Sequence, residues 1–548
     1  MMQTWTQNYN PLGSTVLSTL IAATPVALLL YLLAVRKAIA YRAAIYAFAV
    51  AIALAVFVFG MPAALAAATV AHSLVYAAIR IAWTLLAAVF VYEITVETGH
   101  FEIIKQSIGG ITGDRRLQVL LIAFAFGALM EGAGGGGAPV AICGAMMAGL
   151  GFNPFQAAVL CLIANTAPVA WGGMGNPIRT LVAVTGLPEA DLSAMVGRIL
   201  PWTAMILPVW LVRTQVKWRE TVAVWPGLVA CGGGFAAIQF FWSNYMDATL
   251  VDIIGSLFTL GLLAVFFRLW QPKRIWRYPG EPPYEREASR YSTRTVAHAW
   301  SPFVLLTVLV VAWGLPPVKR VLDVASFKPP VPGLHMSVVR TPPVVAAATA
   351  EPALFDFALV ANVGNAVFLA GLISGPLLGL SFGGTMRVFA RTCHRMRFSM
   401  LAIVGMIGLG FITRYSGMDA VMGLALTHTG VLFPLFGTLI GWLGVALTGT
   451  DAGSNALFGS LQVITAQNLG IAPVLMAAAN SAGGVMGKMI DAQSIIVACA
   501  ATGQEGKEGD LFRAVMKHSV LLALIVGLVV MLYAYVLTAW IPDGHRFW

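Results

Sequence analysis

Residues 129–143 read LMEGAGGGGAPVAIC. A carboxylate, a run of glycines and a proline interrupt an otherwise apolar stretch, 118–150, and the reading of that interruption decides the fold. A glycine-rich loop can cradle phosphate, but the phosphate-binding pattern GxxxxGK[ST] needs a lysine, and none follows here. The other reading is the tip of a helical hairpin that dips into a membrane and turns back. The rest of the chain favours it.

The chain has 548 residues, 59% of them hydrophobic and only 10% charged, with a mean hydropathy of +0.83. A soluble domain carries about 25% charged residues, so too little polar surface is left to face water and lipid must cover much of the molecule. The five cysteines (Cys143, Cys161, Cys231, Cys393, Cys499) form no CxxC pair, which argues against a disulfide framework or zinc site. MMQTWTQNYN lacks a basic start and the first apolar run is long enough to span, so no cleavable signal peptide is expected. The net charge of +10 sits on short loops between apolar runs, which points to membrane topology and not to nucleic acid.

About twelve runs can cross ~30 Å of hydrocarbon. They fall near 15–34, 43–60, 79–97, 156–178, 195–212, 222–241, 250–267, 299–315, 355–380, 398–413, 472–494 and 518–540. Two further stretches, 118–150 and 431–468, carry a polar, glycine-containing tip at mid-length and are read as re-entrant hairpins. With both termini outside, the basic residues gather on the cytoplasmic loops: Arg36, Lys37 and Arg42; Lys105, Arg115 and Arg116; Arg213, Lys217 and Arg219; the basic loop 268–297; Arg387, Arg391, Arg395 and Arg397; Lys507, Arg513 and Lys517. These outnumber the outer set, which includes Arg179, Arg198, Arg414 and the external loop 316–353, as the positive-inside rule requires.

This topology contains a symmetry. Residues 79–212 and 398–540 each comprise a span, a hairpin and an interrupted span, in opposite orientation, which is the arrangement of inverted-repeat transporters. Ala133-Gly134 superposes on Ala452-Gly453, and Leu150-Gly151-x-x-Pro154 on Leu469-Gly470-x-x-Pro473. The tips are Glu131–Gly137 and Thr450–Asn455, and the following spans break at Ala164-Asn-Thr-Ala-Pro-Val169 and Ala479-Asn-Ser-Ala-Gly-Gly484. Broken backbone at membrane depth leaves N–H and C=O groups that are tolerable only inside protein or beside a watery cavity. Half-helix N-termini there present N–H donors to an anion. The expected fold class is therefore an all-α polytopic membrane protein with two re-entrant hairpins in inverted repeats.

The motifs QNYNP, AAVFVYEITVETG (87–99), EGAGGGGAPVAI, CLIANTAPVA, GWLGVALTGTDAGSNALF, ANSAGGVMGKMI and CAATGQEGKEGDLFR run over nearly the whole chain. With them the sequence resembles the bacterial lactate/glycolate permeases. The resemblance implies a proton-coupled importer of small 2-hydroxymonocarboxylates (L-lactate, D-lactate, glycolate) in the bacterial inner membrane, with paired re-entrant hairpins. Departures stand at the first tip, where the family's EGAAGFGAP is replaced so that Gly134 and Gly136 stand for Ala and Phe. Asn176 stands where an apolar residue is usual, and Asp491 where Ser is common.

Such a substrate needs N–H groups or a cation for its carboxylate, and a donor–acceptor side chain for its hydroxyl. Asn165 and Thr166 in the first half, with Ser454, Asn455, Asn480 and Ser481 in the second, are the candidates, together with the tip glycines Gly135 and Gly137. The competing reading is that these polar groups only join helices. Proton coupling wants an ionisable group inside the membrane, and Glu131 and Asp451 occupy one tip each. The alternative for each is an ionised helix cap. Lys488 holds the substrate carboxylate or pairs with Asp491 one helical turn on.

Arg80, Glu93 and Glu97 read as snorkelling or structurally paired groups of the third span. The eight histidines show no ligand spacing and read as interfacial. No metal or organic cofactor is expected, the coupling ion being H+. The partners expected are a small carboxylate and membrane lipid, with no nucleic acid, and the oligomeric state stays open, a homodimer included. A sodium-coupled or other-carboxylate symporter of the same build is the alternative, kept open by Gly136. An enzyme is disfavoured, because DDxxD, HExxH and Ser/His/Asp patterns are missing.

Overall fold

The structure is a computed structural model that describes residues 4–543, apart from 35, 37, 136, 137, 282–290, 346 and 356. Gly137, expected in the site, and Gly136 thus lie outside the described residues. Helices dominate. Among the described residues, ten of them are long and apolar enough to cross a membrane, or eleven if the bent pair Pro154–Ala164 and Val169–Thr185 is one span. The runs expected at 43–60, 222–241 and 355–380 form the helices Ala40–Phe57, Trp225–Tyr245 and Val363–Leu377. None of these three is among the ten. The last is cut short because its first residues form an extended pair, Ser326–Phe327 against Phe357–Ala358.

The span expected at 79–97 runs back to Ala63, giving one 35-residue helix, Ala63–Glu97. Its extra turns (AALAAATVAHSLVY) are alanine-rich, and alanine is the best helix former. Pro62 supplies the start. Arg80 consequently lies in mid-helix, inside a π-helical turn, Ala77–Ala82. His72 is buried against Phe355 and Phe411, so for that residue the interfacial reading is corrected. Glu93 and Glu97 do form ion pairs, with Arg395 (2.5 Å) and Arg391 (2.8 Å).

The region around the glycine tract forms two helices, Arg115–Ala133 and Ala138–Gly149. The first arm is apolar enough to span, yet its whole span window is buried inside the protein. Asp114 caps it by accepting from Arg116 N (3.0 Å) and also pairs with the Arg116 guanidinium (2.6 Å). Arg115 pairs with Glu281 (2.7 Å), and Asp114 accepts from Trp276 N (2.9 Å), so the basic loop folds back onto the start of this arm. The second-half counterpart is Phe433–Thr448 and Asp451–Leu469, joined through Gly449, whose φ of +77° is the left-handed value glycine adopts without strain. Pro473–Gly487, a turn and Ala492–Thr502 follow.

The two largest of four apolar clusters among the described residues hold most of the core. One surrounds the first hairpin and joins it to Pro473–Gly487 and Glu508–Tyr535. The other packs Thr15–Ala34 and Ala40–Phe57 against Phe382–Ser416 and the start of Asp451–Leu469. Large apolar side chains such as Leu20, Phe57, Val229, Leu269, Val304 and Leu528 stay exposed on the outside, where lipid would cover them. Glycine allows a close backbone approach between Phe433–Thr448 and Pro473–Gly487: a β-carbon on Gly441 would collide with the Asn480 carbonyl, and one on Gly483 with that of Thr438. The loop at 316–353 adds a small sheet in which Val338–Arg340 lies between Trp5–Thr6 and Thr349–Ala350.

Candidate functional site

The second-half tip is built first by capping. Thr450 Oγ1 accepts from Gly453 N (3.0 Å) and so caps Asp451–Leu469. The capping task therefore falls to Thr450, and the Asp451 carboxyl points elsewhere. Its Oδ2 accepts from Ser481 Oγ (2.5 Å) and Asn455 Nδ2 (3.4 Å), while Oδ1 has no hydrogen-bond partner among the described residues. Gly484 makes room for it, since a β-carbon there would collide with Asp451 Oδ1. Behind lies an amide chain: Asn480 Nδ2 donates to Asn455 Oδ1 (2.9 Å) and Ser454 Oγ (3.4 Å), and Gln462 Nε2 donates to Asn480 Oδ1 (3.1 Å). Ser454 Oγ donates to Gly441 O (3.0 Å).

Lys488 is only 3 % exposed, and its Nζ donates to Gly449 O (2.6 Å), the carbonyl at the end of the facing hairpin arm. It also forms the ion pair with Asp491 (3.3 Å), whose other oxygen caps Ala492–Thr502 through Ser494 N (2.8 Å). One buried cation thus ties the tip to the second broken helix.

In the first half, Glu131 ends the long buried arm and is 4 % exposed. Its Oε1 lies against the Gly172 backbone, where a β-carbon would come within 2.6 Å, and its Oε2 has no partner among the described residues. Gly135, at φ +59°, donates its N–H to Glu131 O (3.0 Å) and sits between Glu131 and Gly173 N. Asn165 ends Pro154–Ala164, is buried, and leaves both side-chain polar atoms unpartnered among the described residues. Thr166 is buried too, but its hydroxyl donates to Ile163 O (2.8 Å).

The strongest distortion lies a few residues beyond the break read from ANTAPV. Gly173, Met174 and Gly175 have φ of 54°, 63° and 76°, and helical geometry resumes only after them. A positive φ at Met174 stores roughly 1–3 kcal/mol of strain, of the kind that gathers at functional sites. The signal was in the letters GGMGNP, because glycine pairs and a proline are the strongest turn markers. Asn176, noted above only as a departure, lies at this bend with an unpartnered Oδ1. Asn455 Nδ2 donates to Pro177 O (3.2 Å), which joins the two halves directly.

The two tips meet electrostatically. Lys488 acts on the charge of both Glu131 and Asp451, and the two carboxyls act on each other. Asn165 and Asp491 lie within the same reach of Glu131. Beside this region a cavity of about 570 Å³ is lined by Arg80, Arg179, Glu189, Lys328 and Asn362 among others. Arg179, three residues past Asn176, donates to Thr249 Oγ1 (2.7 Å) and faces Glu189 (3.8 Å).

With this geometry in place, the comparisons are decisive. A family model described as L-lactate permease matches residues 18–537. The chain belongs to the L-lactate permease family. It is 44% identical to an L-lactate permease of Salmonella typhimurium, covering 99% of this chain and 100% of that one. It is 43% identical to the glycolate permease GlcA of Escherichia coli (98% and 99% covered) and 40% identical to an L-lactate permease of Bacillus subtilis (98% and 100%). Among solved structures, the YdaH transporter of Alcanivorax borkumensis aligns at a TM-score of 0.44 and 14% identity, over 84% of this chain and 86% of that one. In this member of the family, then, the tips, the broken helices and the buried lysine occupy one region.

Proposed function

We propose that the protein is a multi-pass inner-membrane symporter that imports small 2-hydroxymonocarboxylates such as lactate and glycolate together with protons. The observation that carries this reading is the set of buried polar atoms, unpartnered among the described residues, where the halves meet: Glu131 Oε2, both polar atoms of Asn165, Asn176 Oδ1 and Asp451 Oδ1. Buried polar groups are normally satisfied, and a concentration of exceptions needs an explanation. A hydroxyacid answers it. Its carboxylate faces Lys488 and the tip backbone at Gly135, and its hydroxyl takes up Asn165. Asn455, Asn480 and Ser481 hold Asp451 and the second tip in register. Ser454 and Thr166 already use their hydroxyls within the protein, and they support the site from behind.

Charge counting explains the proton. If Glu131, Asp451 and Asp491 were all ionised beside one lysine, the site would be negative before any anion arrived. At an effective dielectric of about 20 and a separation of about 6 Å, one uncompensated carboxylate opposes an entering anion by about 3 kcal/mol. That is about a hundredfold in affinity. Protonating Glu131 or Asp451 removes one of the two uncompensated charges, so proton and substrate favour each other's binding, and linkage makes the effect mutual.

On this reading the helix pairs at 118–150 and 431–468 are re-entrant hairpins of two inverted repeats, 79–212 and 398–540. They move with the broken helices against the remaining spans to expose the site to either side in turn. The termini lie outside, the loop at 268–297 is cytoplasmic and that at 316–353 external. Either a monomer or a homodimer accommodates this scheme.

The test is uptake of labelled lactate by the purified protein in liposomes, in sodium-free buffer, with a panel of carboxylates as competitors. The reading predicts accumulation driven by an inside-alkaline gradient and competed by glycolate. A requirement for sodium, or competition only by unrelated acids, would favour the alternative symporter. Product formation by detergent-solubilised protein would replace transport with catalysis.

A further inference from the structure

Helix Val251–Leu269 carries a buried carboxyl in its first turn. Asp252 is 1 % exposed, and neither of its oxygens has a hydrogen-bond partner among the described residues. An aspartate in a first helical turn ordinarily accepts from the free N–H groups there, and Asp252 does not. It faces the first hairpin instead. A β-carbon on Gly132 would come within 2.9 Å of the Asp252 β-carbon, so the missing side chain at Gly132 is what admits it. Gly132 is the neighbour of Glu131, and the two carboxyls act on each other's charge.

Among the described residues the surroundings offer no other compensation. The helices packed against this one bring Glu131 on the hairpin arm, Arg179 on Gly172–Thr185, and Cys231 and Tyr245 on Trp225–Tyr245, while Asp247 lies in the preceding turn. Arg179 is engaged by Thr249 and Glu189, Asp247 accepts from Thr249 N (2.6 Å), and Arg115 and Arg116 at the far end of the hairpin arm pair with Glu281 and Asp114. An ionised carboxylate without donor or cation in a dry interior costs several kcal/mol. A proton removes that cost.

We infer that Asp252 is a second proton-binding site of the first half, sharing a proton with Glu131. This rests on the proton-symport reading above. In the transfer, the O–H bond at Asp252 breaks and one forms on the Glu131 carboxylate; Asp252 is left as the anion and no electrons change hands. The position also links the proton to movement. The turn before Asp252 is fixed to the first broken helix, because a β-carbon on Gly175 would come within 2.5 Å of Ala248 O, and Arg179 holds Thr249. A hairpin sliding along Val251–Leu269 would part Glu131 from Asp252, so transfer is allowed in one arrangement and interrupted in the other.

The experiment uses the full chain in liposomes, with a pH-sensitive dye inside and labelled lactate outside, comparing wild type with Asp252→Asn across a range of pH. The expected result is at least a twofold fall in protons taken up per lactate and the loss of one titration step from the pH profile. Lactate–lactate exchange stays measurable, and the thermal midpoint does not fall, since Asn has the shape of the neutral acid. A coupled wild type with an equally coupled Asp252→Asn overturns the inference. A wild type that moves lactate without protons overturns the underlying symport reading instead. If Asp252→Asn does not fold, Gly132→Ala, which crowds Asp252, gives the decision: altered coupling supports the shared proton and unaltered coupling rejects it.

Discussion

Asn455→Ala is the substitution whose effect can be worked most fully from the geometry. The amide donates to Pro177 O at 3.2 Å and Asp451 Oδ2 at 3.4 Å, and accepts from Asn480 Nδ2 at 2.9 Å. Removing it leaves one Asn480 N–H without a partner in a fully buried region and takes the Asn455 donor from the Pro177 carbonyl. A buried polar group left unpaired costs about 1–3 kcal/mol. Asn480 keeps its longer bond to Ser454 and Asp451 keeps Ser481, so the sum should lie near 2–3 kcal/mol and not at the upper limit for two lost groups. The protein should stay folded but melt a few degrees lower in detergent. Because the same amide joins the two halves of the site, lactate affinity should fall by about tenfold or more, equivalent to about 1.4 kcal/mol. The assay is a thermal melt at rising lactate concentration, which reads stability and affinity together. Asn480→Ala and the double variant complete a cycle, and coupling of about 1 kcal/mol between the two amides is expected. Unchanged lactate protection in Asn455→Ala, or strict additivity in the cycle, would refute the reasoning.

Four further outcomes follow from the same contacts. Glu131→Gln and Asp451→Asn should each lower proton uptake per lactate in dye-loaded liposomes while substrate exchange persists; accumulation against a gradient by both variants would remove both carboxyls as carriers. Gly484→Val should abolish uptake, because its side chain collides with Asp451, and it would be seen as loss of lactate-dependent thermal protection. Arg179→Gln should raise the half-saturating lactate concentration several-fold at low salt and less at high salt if the adjoining cavity gathers anions, as measured by initial uptake rates. After the small sheet's last strand, burial raises the Glu351 carboxyl, but Arg414 (2.9 Å) and Arg340 (2.7 Å) more than offset it and hold it below the usual carboxylate range. Its contribution to stability is therefore complete above about pH 4.5 and fades as pH falls through that range toward its lowered value. Glu351→Gln should lose about 3 kcal/mol near neutrality and flatten the acid side of the melting profile.

Much of the architecture was legible because membrane burial writes long apolar runs into a chain, and breaks in them are costly enough to be conspicuous. The tips at Glu131 and Asp451 stand out for that reason. What could not be read depends on which residues face each other. Asp252 opens an apolar run as any helix-capping aspartate does, and only packing reveals that Gly132 makes room for it. Arg115 and Arg116 look like topology-setting charges, yet they are buried in pairs with Glu281 and Asp114, the former far off in sequence. The backward extension of the third span to Ala63 was hidden because alanine-rich segments are only mildly hydrophobic. Strands of two or three residues, such as Val338–Arg340, are too short to carry a periodic signal. At the first broken helix the proline in ANTAPV drew attention from GGMGNP, where the backbone turns left-handed.

The central claim is that substrate and proton occupy one buried site where the two halves meet. Its most direct test is lactate-evoked proton entry into sodium-free liposomes containing the purified protein, recorded beside labelled uptake. The account predicts proton entry in proportion to lactate, saturating at the same concentration, with accumulation abolished by an uncoupler. Lactate accumulation that an uncoupler leaves untouched, with no proton entry, would contradict it.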